Sequence, residues 1–262
     1  AVTAYNNSCL DGPVIFSLTD LLYNESVTIL NNADASAVNS LFIQPVNPGT
    51  VISGNAATGT IRMSGARFVI VDGSPDGLGG YVSGDNMVVR NTLGTAPAIQ
   101  LINETNNCTV RWADLQSNNS GATATANAGV VNIGTTAGNN GNDNNTIADC
   151  DIHNITGGNP VVGISALGNT ISVNANNDNN TINNCNIYDI FSATIAFAGV
   201  YVGTGNGSWT ITNNNVYQTV PRTQTTTFLI NRGFWITPNT ASLTSASGFT
   251  VNNNFIGGSA SD

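Results

Sequence analysis

The sequence contains no lysine, and it carries little charge of either sign. Its 262 residues hold 15 acidic side chains against six arginines, and charged residues make up 8% of the chain, compared with about 25% in a typical globular protein. Nucleic acids and anionic membranes are bound by clusters of Lys and Arg, so the composition argues against both as partners. The absence of Lys also excludes enzyme mechanisms that need a lysine base, Schiff base or phosphate clamp.

Long apolar runs and cysteine-rich motifs are missing as well. No stretch approaches the roughly 18 apolar residues of a membrane span, so membrane insertion is not expected. The four cysteines are too few for a disulfide scaffold and lack the CxxC spacing of zinc sites. The chain opens at Ala1 without a Met, a basic segment or an apolar segment, which is typical of a mature or excised chain. Together with abundant Asn, Thr and Ser, these features predict a secreted or cell-surface protein.

Asparagine takes the place of the missing charge, and part of it is periodic. About one residue in six is Asn, while a hydrophobic fraction of 40% leaves enough apolar residues for a core. An eight-residue motif recurs at residues 108–115, 145–152, 180–187, 209–216 and 249–256, with looser copies at 68–73 and 87–92. A glycine-led motif alternates with it at residues 129–133, 163–167, 199–202 and 233–236.

Short β-branched strands at a drifting period, without a 3.6-residue apolar pattern, exclude a helical solenoid. They predict an all-β fold, a right-handed single-stranded parallel β-helix of roughly seven to nine rungs. Residues 1–65 are expected to form an N-terminal cap and irregular first rungs. Residues 66–262 are expected to form the repeats, which would continue beyond the chain end in a full-length protein.

Equivalent residues of such a coil stack about 4.8 Å apart, so the motifs predict columns. One column is expected at the bend between strands, as a structural ladder of Asp72, Asn91, Cys150, Cys185, Asn214 and Asn254. Asn suits a bend because it tolerates the left-handed backbone and because its amide can bond to the next rung. Cys150 and Cys185 would then lie within disulfide range, and both a disulfide and a free thiol pair remain open.

The same register predicts two columns of outward aromatic side chains. His153, Tyr188 and Tyr217 should form one column, and Tyr201 and Trp235 the other. Flat rings of this kind can stack on sugars, which makes the five residues candidates for glycan binding. The alternative is that the rings cover each other or lie beneath loops.

Several motifs together resemble a known group of proteins. They are GPVIFSL at residues 12–18, YNE at 23–25, VISG at 51–54, FVIVDGS at 68–74, GNDNNTI at 141–147, GSWTI at 207–211 and FIGGS at 255–259. They resemble the right-handed parallel β-helix modules of large secreted surface proteins of the Bacteroidetes and their relatives. The resemblance implies an extracellular location and export by the type IX secretion system.

Parallel β-helices also include pectate lyases and polygalacturonases, which makes catalysis a question for individual residues. A lyase of this kind needs a calcium cluster with a basic residue, and Lys is absent. The one histidine, His153, lies in Asp-Ile-His-Asn and departs from the Gly-His-Gly of polygalacturonases. We therefore expect no catalytic residues.

Two equivalent turns each carry a carboxylate, Asp143 and Asp178. Their oxygens make them weak candidates for calcium, although Asn-Asp runs are also ordinary turn sequences. No other cofactor is expected.

The sequence therefore favours a structural module of an extracellular adhesin, fibre or surface layer. Its partners would be further repeats of its own chain or identical subunits, joined end to end. The alternatives are a polysaccharide-binding module or, less favoured, a pectate-lyase-like enzyme. Ice binding needs a flat, regular Thr array, and because the Thr runs at residues 123–125 and 223–227 are expected in loops, it ranks last.

Overall fold

Nearly all regular structure in the chain is parallel β-structure. The computed structural model describes residues 1–75, 79–80, 84, 86–238 and 248–258. Within these residues the chain coils through three sheets, which we call A, B and C, and adds one strand to each sheet in every turn. We call each such turn a rung.

The strands of each sheet follow one another in chain order. Sheet A contains β1 (Val14–Leu18), β4 (Leu41–Pro45), β7 (Val69–Asp72), β10 (Thr109–Arg111), β13 (Thr146–Ala148), β17 (Thr181–Asn183), β21 (Thr210–Thr212) and β24 (Thr250–Asn252). Sheet B contains β2 (Leu22–Tyr23), β5 (Val51–Gly54), β8 (Val88–Asn91), β11 (Asp114–Ser117), β14 (Asp151–His153), β18 (Asn186–Tyr188), β22 (Asn215–Tyr217) and β25 (Phe255–Ile256). Sheet C contains β3 (Val27–Leu30), β6 (Ile61–Ser64), β9 (Ile99–Ile102), β12 (Val131–Ile133), β15 (Val162–Ala166), β19 (Ala198–Val202) and β23 (Arg232–Ile236).

Four further short elements lie among the described residues. Helix α1 (Val2–Asn7) precedes the first rung, and a 3-10 turn covers Val173–Ala175. The two-residue strands β16 (Asn177–Asp178) and β20 (Asn206–Gly207) pair with each other between sheets C and A.

The predicted parallel β-helix is confirmed, and the described residues form eight rungs, within the predicted range. Sheets A and B each contribute eight strands and sheet C seven. The inward Val110 pairs in register with Ile147, and the same column continues through Ile182, Ile211 and Val251. Stacked Val, Ile and Leu side chains of this kind fill the interior, and most are fully buried.

Residues 1–65, predicted as a cap and irregular first rungs, contribute strands to the same three sheets as the later residues. Strands β1 to β6 lie within residues 14–64 and join the same three sheets as the later rungs. Residues 1–13, which include α1, precede the first strand of the coil. The first rungs lack the eight-residue motif, so the sequence does not give their register.

The predicted register is wrong in the third rung. The looser motifs at residues 68–73 and 87–92 are two halves of a single rung, β7 and β8, separated by residues 73–87. Val71 pairs with Val110, so Asp72 pairs with Arg111 on sheet A. Asn91 pairs with Ser117 at the end of sheet B. Neither residue stands in the column of Cys150, and Met87 and Ala113 precede Cys150 there.

The left-handed backbone also lies one position earlier than the bend residues that we predicted. Positive φ angles occur at Trp112 (50°), Asp149 (53°), Asn184 (54°), Asn213 (59°) and Asn253 (54°). Each directly precedes a residue of the bend column, such as Cys150 or Asn214. The two tasks assigned to one Asn are therefore divided between neighbours: one residue turns the backbone, and the next points its side chain inward.

A column of glycines lets sheets B and C approach closely. Gly163, Gly199 and Gly233 pair in register, and Val130, rather than Gly129, is their equivalent in the preceding rung. A Cβ added at Gly199 would lie 2.6 Å from Cγ1 of Val216 and 2.7 Å from the carbonyl oxygen of Gly233. In the three rungs after that of Val130, the glycine motif therefore marks a position of sheet C without room for a side chain against sheet B.

We expect Gly199→Ala to destabilise the fold by about 1–3 kcal/mol, because the methyl group overlaps Val216 in a packed corner. The matched control is Gly94→Ala, where the nearest atom to the added Cβ is 3.7 Å away. Both substitutions reduce the entropy of the unfolded chain alike, so chemical denaturation of the two variants isolates the overlap. Equal stability of the two variants would contradict this account.

Candidate functional site

The outer face of sheet B carries two columns of polar and aromatic side chains. One column contains Asp114, Asp151, Asn186 and Asn215, and the other contains Gln116, His153, Tyr188 and Tyr217. Hydrogen bonds from side-chain amides join the last three residues of the first column. Asn186 Nδ2 donates to Asp151 Oδ1 at 2.9 Å, and Asn215 Nδ2 donates to Asn186 Oδ1 at 3.0 Å. The chain's one histidine thus lies beside two carboxylates and two tyrosines on one face.

The aromatic rings of the second column stack on one another. The ring centroids of His153 and Tyr188 lie 4.4 Å apart at 13°, and those of Tyr188 and Tyr217 lie 5.1 Å apart at 18°. Tyr188 is thus covered on both faces by its neighbours. The geometry favours the interpretation that the rings cover each other, because a sugar needs an open ring face to stack on.

His153 and Asp114 form a pair across adjacent rungs. Nε2 of His153 lies 2.8 Å from Oδ1 of Asp114, and Gln116 Nε2 donates to Oδ2 of the same carboxylate at 2.9 Å. Burial lowers the pKa of His153, but the hydrogen bond and charge of Asp114 and the charge of Asp151 raise it, and the net shift is upward. Both carboxylate oxygens of Asp114 are therefore engaged, and the pair fixes side chains rather than presenting an open base.

The pair predicts a dependence of stability on pH. The pKa of His153 is raised in the folded state above 6.5. Its contribution to the free energy of unfolding is therefore fully present below pH 6.5 and is lost as the pH rises through the folded-state pKa. We expect His153→Gln to cost about 1–2 kcal/mol at pH 6 and less at pH 8, since the charged hydrogen bond is removed. Denaturation at a series of pH values measures this, and Asp114→Asn should give the same change. An unaltered pH slope in both variants would show that the pair stays neutral.

The second predicted aromatic pair lies on the outer face of sheet C, where loops cover much of the surface. Tyr201 and Trp235 pair in register, but their rings meet edge to face, with centroids 5.3 Å apart at 73°. Tyr201 is only 8% exposed, and the Arg232 guanidinium lies 3.8 Å from the Trp235 ring centroid. The pair belongs to a small outer core with Val162 and Ala198 and does not form a flat platform for a sugar.

Asp143 and Asp178 occupy adjacent rungs at the corner between sheets C and A. Oδ1 of Asp143 accepts the backbone N–H of Asp178 at 2.7 Å. Burial raises the pKa of Asp143, and burial with the nearby Asp143 charge raises the pKa of Asp178 to about 6. Within the described residues no group of three or more His, Cys, Asp or Glu side chains could hold a metal ion. The two carboxylates repel each other there, and calcium binding stays a prediction.

The same turns contain two buried asparagine ladders that the sequence did not reveal. Asn145 Nδ2 donates to Oδ1 of Asn180 at 3.1 Å, and Asn142 Nδ2 donates to Oδ1 of Asn177 at 3.0 Å. All four side chains are buried. The Asn-Asp-Asn-Asn runs are therefore corner ladders, and the signal was the spacing of 35 residues between equivalent amides.

We expect Asp178→Asn to stabilise the protein at neutral pH. The pKa of Asp178 is raised from 3.8 to about 6, so the folded state holds its proton more tightly than the unfolded state does. The contribution of Asp178 to the free energy of unfolding therefore falls as the pH rises through this range. Because Asp178 is half-buried, solvent screening limits the gain to about 1 kcal/mol at pH 7, and it should vanish near pH 4. Thermal unfolding at both pH values measures it, with the exposed Asp20→Asn as control. A loss of stability at pH 7 would contradict this prediction, because it would mean that the Asp178 carboxylate stabilises the fold.

Cys150, Cys185, Asn214 and Asn254 do occupy one column. Cys185 N–H donates to Asn214 Oδ1 at 2.9 Å, and Asn214 Nδ2 donates to Asn254 Oδ1 at 3.0 Å. Cys150 and Cys185 are buried free thiols. Burial raises the pKa of Cys150, and its neighbour Cys185 raises it further. At Cys150 and Cys185 the side chains of this column are thus small and weakly polar. The amide ladder is formed by Asn214 and Asn254 in the last two rungs.

A regular column of Thr side chains on the surface was not predicted from the sequence. The second residue of every eight-residue motif is Thr, and Thr109, Thr146, Thr181, Thr210 and Thr250 stand in register on the outer face of sheet A. The aligned motifs carry this signal. The Thr-rich segments at residues 123–125 and 223–227 lie in loops, as expected, and take no part in this column.

In comparisons with known proteins, no family model, no curated protein and no solved structure matches this chain. No helix among the described residues is long and apolar enough to cross a membrane.

Proposed function

We propose that the protein is a structural module of an extracellular surface protein, such as an adhesin, fibre or surface layer, and that it associates end to end. The observation that carries this proposal is the exposed apolar interior of the last rung. Val251 is 43% exposed and Ile256 is 59% exposed, although their equivalents Ile211 and Ile187 are completely buried in earlier rungs.

The opposite end of the coil is partly closed. Helix α1 packs on β3, and the ring of Tyr5 is buried in the main core. The Asn32 side chain ties this cap to the coil by donating to the carbonyl oxygens of Tyr5 and Ser8. Because the cap occupies the first rung, association is expected through the last rung. Two copies joined by their last rungs form a two-fold dimer.

Two further features support a structural role over glycan recognition or catalysis. The predicted aromatic residues are engaged with one another, with Arg232 or with the outer core of sheet C. The Asp114 and His153 pair is saturated by its own hydrogen bonds. The extracellular location rests on the lysine-free, weakly charged composition and on the resemblance described above.

The test is the oligomeric state of the purified chain. We expect a concentration-dependent dimer by light scattering, and we expect Ile256→Glu and Val251→Glu to weaken it at least about tenfold, since a charge would be placed on the buried end face. The matched control is Ile171→Glu, because Ile171 is similarly exposed (66%) but lies in a loop beside the coil.

Two results would contradict the proposal. One is a wild-type chain that stays monomeric at high concentration. The other is a dimer that Ile171→Glu weakens as much as Ile256→Glu does. Circular dichroism of each variant checks that the coil remains folded.

A further inference from the structure

The outer face of sheet A carries a regular array of hydroxyl and methyl groups. Five Thr side chains stand in one column over rungs four to eight, at residues 109, 146, 181, 210 and 250. Neighbouring strands of a sheet lie about 4.8 Å apart, so the hydroxyls repeat at about that interval. Among the described residues, none of these five hydroxyls has a hydrogen-bond partner.

A second column runs parallel to the first, two residues further along each strand. From rung five to rung eight it contains Ala148, Asn183, Thr212 and Asn252. The hydroxyl of Thr212 donates to Oδ1 of Asn183 at 2.9 Å, which holds both side chains in place. Two residues of a strand span about 6.6 Å, which sets the distance between the columns.

Over these four rungs the two columns form a patch without charge. Neither column contains an acidic or basic side chain from Thr146 to Asn252, although the chain as a whole has a net charge of −9. The uncharged patch ends at rung four, where Arg111 takes the second column and pairs with Asp72 at 2.9 Å. A patch of this kind is complementary to an uncharged partner and offers nothing to an ion.

The array is also rigid. Thr is branched at Cβ, which restricts χ1 and therefore the positions of its hydroxyl and methyl groups. Each strand is hydrogen-bonded to the strands above and below it, and no bulge interrupts the register. The positions of the hydroxyls are fixed before any partner arrives, so binding costs little ordering entropy.

A partner that matches this face must itself be uncharged, rich in hydroxyl donors and acceptors, and periodic. A single small solute does not repeat over four rungs, whereas the surface of a crystal does. The oxygen lattice of ice repeats along its prism face at nearly the spacing of β-strands. Its water molecules can both donate to and accept from a Thr hydroxyl, while the methyl groups provide apolar contact.

We propose that the two-column face of sheet A at rungs five to eight binds the surface of ice. Its contact residues are the column of Thr146, Thr181, Thr210 and Thr250, with Thr109 at its margin, and the parallel column of Ala148, Asn183, Thr212 and Asn252. The competing partner is a neutral crystalline polysaccharide. It is disfavoured because the patch contains no aromatic ring on which a sugar could stack. The proposal is independent of end-to-end association, because the face lies on the side of the coil and not at its end.

The test uses the full chain and growing ice. We expect thermal hysteresis with faceted crystals, and inhibition of ice recrystallisation. Thr181→Tyr and Thr210→Tyr should each reduce the hysteresis at least tenfold, because one ring at the centre of the array lifts the surface away from the lattice. The matched control is Thr28→Tyr, since Thr28 is similarly half-buried but lies on the outer face of sheet C. That variant should retain the wild-type hysteresis.

Three outcomes would overturn the proposal. One is a wild-type chain without hysteresis or recrystallisation inhibition at its highest soluble concentration. Another is an equal loss of activity in Thr28→Tyr. The third is wild-type binding to crystalline chitin or cellulose, abolished by Thr181→Tyr, without any effect on ice. Melting curves confirm folding, and repeating the assay with Ile256→Glu separates ice binding from association.

Discussion

In-register stacking of parallel rungs is the constraint on which the rest of this structure depends. Because every residue lies about 4.8 Å from its equivalent in the next rung, any residue type that recurs in the motif becomes a continuous column. Apolar residues give the core, Asn gives ladders, and aromatic residues give the stack of His153, Tyr188 and Tyr217. Like charges that recur in such a column repel each other, as Asp143 and Asp178 do in adjacent rungs.

Asparagine resolves the problem of polar corners in a buried coil. A bend interrupts the backbone ladder, and an amide side chain both donates and accepts, so one Asn can satisfy the next without a counter-charge. Asn145 and Asn180 do this while each also bonds to a backbone carbonyl. A carboxylate cannot donate, and Asp143 and Asp178 show the result: adjacent acids with raised pKa values, and an Oδ1 of Asp178 that is buried without a partner among the described residues.

The sequence predicts the columns better than the corners between them. The fold class, the rung count and the outward columns of sheet B all follow from the spacing of apolar residues in the repeated motif. The register of Asp72 and Asn91 does not, because the insertion at residues 73–87 splits one rung into what reads as two motifs. Whether loops cover Tyr201 stayed an open alternative, since it depends on how loops of unequal length fold onto sheet C. The Thr column follows from the second position of the aligned motifs.

The proposed roles of the ends and of the Thr face have a common physical basis. In the proposed association, the last rung would adhere through its unpaired apolar interior and strand edges. In the proposed ice binding, the Thr face would adhere because its groups repeat in step with a lattice. A single Thr hydroxyl exposed to water contributes little to binding, because water competes for it equally well. Several hydroxyls fixed on one rigid sheet meet a crystal surface together, and the gain then grows with the number that match at once. Each additional rung in register would extend the apolar core and so stabilise the coil. It would also add a Thr hydroxyl to the array and so strengthen the proposed binding to a crystal surface.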